Sequence, residues 1–183
     1  MRTRIPLTAF ALCTVVALAI STGCTSPDSP PATPGASPPD ERALAISEAE
    51  QAVRDYYRVR DQCMADPPNT DPSCFEGVSE DNALTRDQLA LENAQTYGFH
   101  YVGTIVFERT LKVLDVQLPQ GLPKEITLLI CTDATAFQAL RADGSPMDSA
   151  NSSEHLRLLY VVQKRTDTWK VADIRKDPGE EAC

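Results

Sequence analysis

From Tyr101 to Arg175 the chain alternates apolar and polar residues, with short breaks, in the period of two that marks strands lying over a core. Tyr101, Ile105, Phe107, Leu111 and Val113 put apolar side chains on odd positions, whereas Leu114, Val116 and Leu118 put them on even ones. Successive side chains of a strand point to opposite faces, so this change of parity requires a bulge or sharp bend between the halves. Pro119 to Pro123 turns the chain. The return strand carries Ile126, Leu128 and Ile130 on one side and Leu129 and Cys131 on the other, which predicts burial on both faces. A further strand is predicted over roughly Thr135 to Leu140, followed by a turn at Asp143-Gly144, both of which tolerate positive φ. In the last hairpin Leu156, Leu158, Tyr160 and Val162 share a face, Thr166-Asp167 turns, and Trp169 and Val171 return. Trp169 reads as a core anchor with its indole N–H satisfied.

Upstream the apolar period lengthens. Ile46, Ala49, Val53, Tyr56 and Arg60 fall at helical spacing, and Ala52, Tyr57 and Val59 widen that side. Asp40 is the expected N-cap, and the helix should run to about Cys63. Arg54, Asp55, Arg58 and Asp61 lie mostly on the other side, and Tyr56 and Tyr57 read as core side chains with hydrogen-bonded hydroxyls. Pro67, Pro68, Pro72 and Gly77 mark a loop, whose acids lack the order of a calcium-binding loop. Thr85-Arg86-Asp87-Gln88 fits a capping box flanked by a Leu84–Leu89 staple, which predicts a second helix starting there. Leu91, Ala94 and Tyr97 give it an apolar side, and Gly98 suits its left-handed end. Two amphipathic helices followed by a bent, mostly antiparallel sheet define an α+β domain.

The first 40 residues follow other rules. Arg2 and Arg4 precede an apolar run from Ile5 to Ile20, shorter than the roughly 20 residues a spanning helix needs, as in a secretory signal. The run ends at Ser21-Thr22-Gly23-Cys24, which resembles the lipobox of bacterial lipoproteins, with Ser21 where an aliphatic residue is usual. That resemblance implies a lipid on Cys24, the new N-terminus, and a place on the extracytoplasmic face of the cell membrane. Residues 25–39 contain six prolines and no large apolar residue, so they are expected to form a disordered or extended tether. The expected organisation is a signal peptide over 1–23, a lipidated cysteine with its tether over 24–40, and a folded domain over 41–183.

The net charge of −9 lacks the basic face that nucleic acid requires, so no nucleic-acid partner is expected. It also makes charge-driven docking on anionic lipid a poor explanation for membrane attachment. No nucleotide, metal or catalytic motif stands out, so neither cofactor nor metal is expected, and the protein is expected not to be an enzyme. Cys13 leaves with the signal and Cys24 takes lipid, leaving Cys63, Cys74, Cys131 and Cys183. Without C-x₂-C spacing, disulfides in an oxidising compartment are favoured over zinc, and the residues leave all three pairings open. Asn151-Ser152-Ser153 matches a glycosylation acceptor and reads as plain loop behind a bacterial signal.

The order helix, loop, helix, long bent strand, Cys131-Thr132-Asp133 strand and Trp169-Lys170-Val171 strand resembles the NTF2-like superfamily. More narrowly, with the terminal Cys183, residues 41–183 resemble secreted NTF2-like lipoproteins of high-GC Gram-positive bacteria. The resemblance implies a cone in which a curved sheet wraps the helices, in some members with a hollow end. The expected cross-links are Cys63–Cys74, which brackets the Pro-rich loop, and Cys131–Cys183, which agrees with that resemblance. If the cone is hollow, its candidate polar residues are Tyr101, Asp115, Asp133 and His155, with His100 beside them. The expectation is a non-enzymatic binding or docking domain for an unknown protein partner or a small apolar ligand. The alternative is an isomerase, dehydratase or cyclase using an acid in the cone.

Overall fold

The computed structural model describes residues 40–147, 155–177, 179 and 183. The signal, Cys24, the tether to Pro39 and Asn151-Ser152-Ser153 lie outside the described residues. Among those described, no helix is long and apolar enough to cross a membrane.

Helix α1 covers Glu41–Ala65, and the side chain of Asp40 accepts from Arg42 N at 3.2 Å, satisfying one orphan donor of its first turn. Ala45, Ala49, Ala52 and Val53 alternate with Tyr56 and Tyr57 on its buried side. Small residues let the helix approach the sheet, and the two rings fill the gap this leaves further along. Two short 3₁₀ turns, Pro67–Asn69 and Pro72–Phe75, follow.

Helix α2 covers Asp81–Tyr97 and therefore starts a turn earlier than the Thr85 capping box predicts. Thr85 sits inside the helix and its Oγ1 donates to Asp81 O at 3.0 Å, so it does not cap. The entrance is held instead by tertiary contacts. Asp81 has φ +49 and receives a forked ion pair from Arg165, while Glu80 N donates to Val171 O at 2.9 Å. Leu89 and Tyr97 are exposed rather than packed, so the apolar side narrows to Ala83, Leu91 and Ala94. Gly98 ends the helix at φ +66, as its sequence position predicts.

The predicted long bent strand is two strands in different sheets. Strand β1 (Phe99–Val102) pairs antiparallel with β4 (Gln138–Arg141), while β2 (Val106–Gln117) begins the main sheet. Gly103 makes the break: it has φ +76, and a Cβ there would meet Ala136 O at 1.8 Å. The strand expected from Thr135 is shorter at its start because Thr135 and Ala136 form a turn.

The main sheet is antiparallel in the order β2-β3-β5-β6, with β3 at Lys124–Asp133, β5 at His155–Lys164 and β6 at Trp169–Lys176. Register shifts interrupt β2 at Phe107/Arg109, Thr110/Lys112 and Val113/Asp115, and the last lies where the apolar parity switches. Each bulge adds local twist and bend. The strand keeps contact with α1 through Thr110 Oγ1, 2.6 Å from Glu50 Oε1, and through Phe107, whose ring lies 3.9 Å under the Arg54 guanidinium. Strand β3 is buried on both faces. Trp169 is 9% exposed with its Nε1 donating to Glu48 Oε2 at 2.8 Å, as expected of an anchor.

One core lies between α1 and the sheet, where Val53, Tyr56 and Tyr57 meet Ile126, Leu128, Ile130, Tyr160 and Val162. A second gathers Cys63, Met64, Phe75, Leu91 and Ala94 beneath the 3₁₀ turns. Cys63 and Cys74 pair within it, with Cα atoms 6.1 Å apart, and Cys131 pairs with Cys183, with Cα atoms 5.6 Å apart. Both cross-links match the expected connectivity. Replacing Cys63 and Cys74 together by Ser should cost about 3 kcal/mol on the loop-entropy model. An unchanged urea midpoint would show that the cross-link adds nothing to the second core. Gly103→Ala should cost at least about 2 kcal/mol, since it adds a left-handed penalty to a backbone clash. Gly77→Ala, whose added Cβ meets nothing within 4 Å, is the matched control in the same unfolding experiment.

Candidate functional site

The two helices and the far end of the β5–β6 hairpin line a cavity of about 180 Å³ that opens to solvent. Helix α1 contributes Tyr56, Tyr57 and Arg60, because positions i and i+4 share a face and place Arg60 one turn beyond Tyr56. Helix α2 contributes Arg86, and Ile105 enters from the segment before β2. The sheet contributes Leu158, Ile174, Arg175 and Lys176, with Leu158 opposite Lys176 in the β5–β6 register. Tyr56 and Tyr57 are buried while Arg86, Arg175 and Lys176 are exposed, so the tyrosines form the bottom and the cations the rim.

A buried polar network stands behind the bottom. Tyr56 donates its hydroxyl to Asp87 Oδ1 at 3.0 Å, and Arg60 Nε donates to the same oxygen at 3.3 Å. The Asp87 side chain is 2% exposed and that of Arg60 15%. Burial raises the Asp87 carboxyl above its ordinary range, against the pull of Arg60 and the Tyr56 hydrogen bond. Arg60 Nη1 and Asp87 Oδ2 are buried without a hydrogen-bond partner among the described residues. On its other side the Arg60 guanidinium lies 5.7 Å from the Tyr101 ring and 5.5 Å from the Phe137 ring. Tyr57 and Tyr160 join their hydroxyls, and burial raises both phenols above their ordinary range.

None of the polar residues expected in a cone lines this cavity. Tyr101 stacks on Phe137 with ring centroids 5.0 Å apart and touches the site only from behind Arg60. His100 is half-buried on β1. Asp115 is exposed and accepts from Val116 N at 2.9 Å and Gln117 Nε2 at 2.7 Å. Asp133 accepts from Thr135 N at 2.8 Å, a bond that holds its carboxyl below the ordinary range. His155 is half-exposed and its Nδ1 lies 3.2 Å from Glu108 Oε1. Alternation explains the miss: these residues sit on strand ends or on the outer parity, whereas the cavity takes its sheet wall from one end of β5–β6.

Glu108, Asp133 and His155 do gather at neighbouring strand ends, with potential ligand atoms within 4.8 Å of one another. The cluster is open to solvent, and its members already form the Glu108–His155 ion pair and the Asp133 turn, which account for the arrangement. Glu108 also approaches Cys131 and Cys183, but those sulfurs are bonded to each other. The residues that do build the cavity left two signals in the sequence. Arg60 is a charge on an apolar helix face, which demands a buried partner. Asp87 is that partner, hidden because Thr85-Arg86-Asp87-Gln88 also has the composition of a helix cap.

The fold and cavity define an α+β domain, two helices packed on an antiparallel sheet, with a small tyrosine-floored and cation-rimmed pocket. No family model and no curated protein matches the chain. Among solved structures it is similar to the crystal structure of the intermembrane space region of the chloroplast protein ARC6. The two are 12% identical with a TM-score of 0.46, over 76% of this chain and 98% of that one.

Asp87 sets a testable pH dependence. Its folded value lies above its unfolded one, so the native state binds the proton more tightly in the interval between them. Through this group, stability rises as pH falls from the raised value towards the ordinary carboxyl value of about 4. In urea titrations the wild type should lose stability relative to Asp87→Asn as pH rises from about 4 to 7. The opposite slope would show that attraction to Arg60 outweighs burial.

Proposed function

We propose that the chain is a lipid-anchored extracytoplasmic protein whose NTF2-like domain holds a small ligand in the helix–sheet cavity and performs no chemistry on it. The observation that carries this is the composition of the cavity wall. It presents tyrosine side chains and basic side chains, while the buried acid, Asp87, stands behind Arg60 and Tyr56. A general base must reach the proton it removes. Phenols raised by burial stay protonated and are already bonded to Asp87 and Tyr160, and guanidinium groups do not deprotonate. The wall therefore suits recognition better than the proton abstraction that an isomerase, dehydratase or cyclase would need.

The anchor is supported by Cys24 directly behind the apolar run Ile5–Ile20. The helix-on-sheet packing, with its three bulges in β2, is compatible with the curved sheet of an NTF2-like cone. Cys24→Ser should move the protein from the membrane to the soluble fraction of its host, and continued sedimentation with membranes would reject lipid anchoring. Native mass spectrometry of the protein purified from its host should show a small molecule at one per chain. Leu158→Trp, which fills the cavity, should release it. No mass excess in either form, with no compound stabilising the wild type in a thermal screen, would reject the binding role.

A further inference from the structure

We infer that the cavity ligand is a small organic monoanion, a carboxylate on a compact apolar body. This rests on the binding role proposed above and names the chemistry of what is bound.

The argument begins with unmatched charge. Arg60 is faced by Asp87, and Arg175 Nε lies 2.5 Å from Asp173 Oδ2. Arg86 and Lys176 have no carboxylate partner among the described residues. Arg86 spends Nη1 on Ile174 O at 2.9 Å, which fixes the guanidinium at the rim and leaves its other donors available. The protein as a whole carries a net charge of −9, so cations gathered at one cavity are not a sample of its average surface.

The second observation is inside. Arg60 lines the cavity, and among the described residues only its Nε is hydrogen-bonded, to Asp87 Oδ1, so its charge is answered from one side. A buried charged donor without an acceptor costs more than a neutral one, and native interiors rarely leave one. The cavity's side-chain wall supplies cationic N–H donors from Arg60, Arg86 and Lys176 and no carboxylate, so the group that complements them comes with the ligand. A carboxylate has the two oxygens that a guanidinium fork matches. Ile105, Leu158 and Ile174 supply apolar surface for the rest of the molecule.

Size narrows the class further. The pocket of about 180 Å³ is open to solvent, and its volume is close to the ~150 Å³ that holds one benzene ring, so the part of the ligand seated in it is on the order of ten non-hydrogen atoms.

The test is isothermal titration of the full chain with benzoate, benzamide, benzylamine and inorganic phosphate. Benzoate should bind at one site and about tenfold more tightly than benzamide, the difference expected of a charge-assisted hydrogen bond. Benzylamine should not bind. Arg60→Gln and Arg86→Gln should each weaken benzoate about tenfold. Arg86 is exposed and outside the core, so its variant keeps the test valid if Arg60→Gln unfolds; Lys124→Gln, away from the cavity, should change nothing. Equal binding of benzoate and benzamide would overturn the anion inference and leave the cavity role standing. Phosphate binding as tightly as benzoate would overturn the apolar body. Benzoate binding that survives Arg86→Gln would place it elsewhere and overturn the site. Failure of every probe, benzamide included, would count against the binding role itself.

Discussion

Arg60 is a charge on the buried face of a helix, and much of the architecture around the cavity follows from answering it. Its counter-charge, Asp87, comes from the other helix, and the shared Oδ1 also accepts from Tyr56. Three groups from two helices thereby meet at one oxygen. A buried pair offsets its desolvation only when the geometry is good and the remaining polar atoms find partners. Here one side of each partner is left bare, at Arg60 Nη1 and Asp87 Oδ2. Because Asp87 points inward, its neighbour Arg86 is turned about 100° around the helix and reaches the cavity rim. One ion pair thus fixes α2 against α1 and aims a second cation.

The sheet supplies the complementary constraint. Three register shifts bend β2, and Gly103 frees β1 to leave the main sheet and pair with β4. Both cross-links act at the ends of this arrangement. Cys63–Cys74 ties the end of α1 to the 3₁₀ turns under α2, and Cys131–Cys183 ties the C-terminal residue to the central strand. The segment Val78–Glu80 hydrogen-bonds along the outer edge of β6 at Val171, so part of that edge is covered.

How much of this is legible in the sequence depends on how local the cause is. The parity change at Val113–Leu114 is a local signal of a bulge, and a register shift lies there. Asp40, Gly98 and the burial of β3 on both faces are likewise written in adjacent residues. The start of α2 is not, because its competing signals are tertiary: Asp81 takes its positive φ against Arg165, 84 residues away, and that contact overrides the cap composition at Thr85. The cavity is less legible still. Helical spacing puts Arg60 on the inner face, but only the packing shows that Asp87 answers it. Asp133 and His155 pair at the same end of the sheet as Leu158, but period two puts them on the face opposite to Ile130, Leu158 and Tyr160, away from the helices.

The charge pattern adds a final constraint on how such a cavity works. Carboxylates outnumber basic side chains in this protein, 26 to 17, yet at physiological ionic strength their field decays over about 8 Å. A ligand inside the rim therefore responds to Arg86, Lys176 and the Arg60 edge rather than to the remote acids. In a wall partly screened from water the same charges act through a lower effective dielectric, so proximity is amplified where distance is damped. The acidic exterior has little effect on a bound anion, while a cation attracted to that exterior meets a repulsive rim. In the proposed binding role charge sign is selected at the cavity mouth, which requires Arg86 to be held in place, as its bond to Ile174 O holds it.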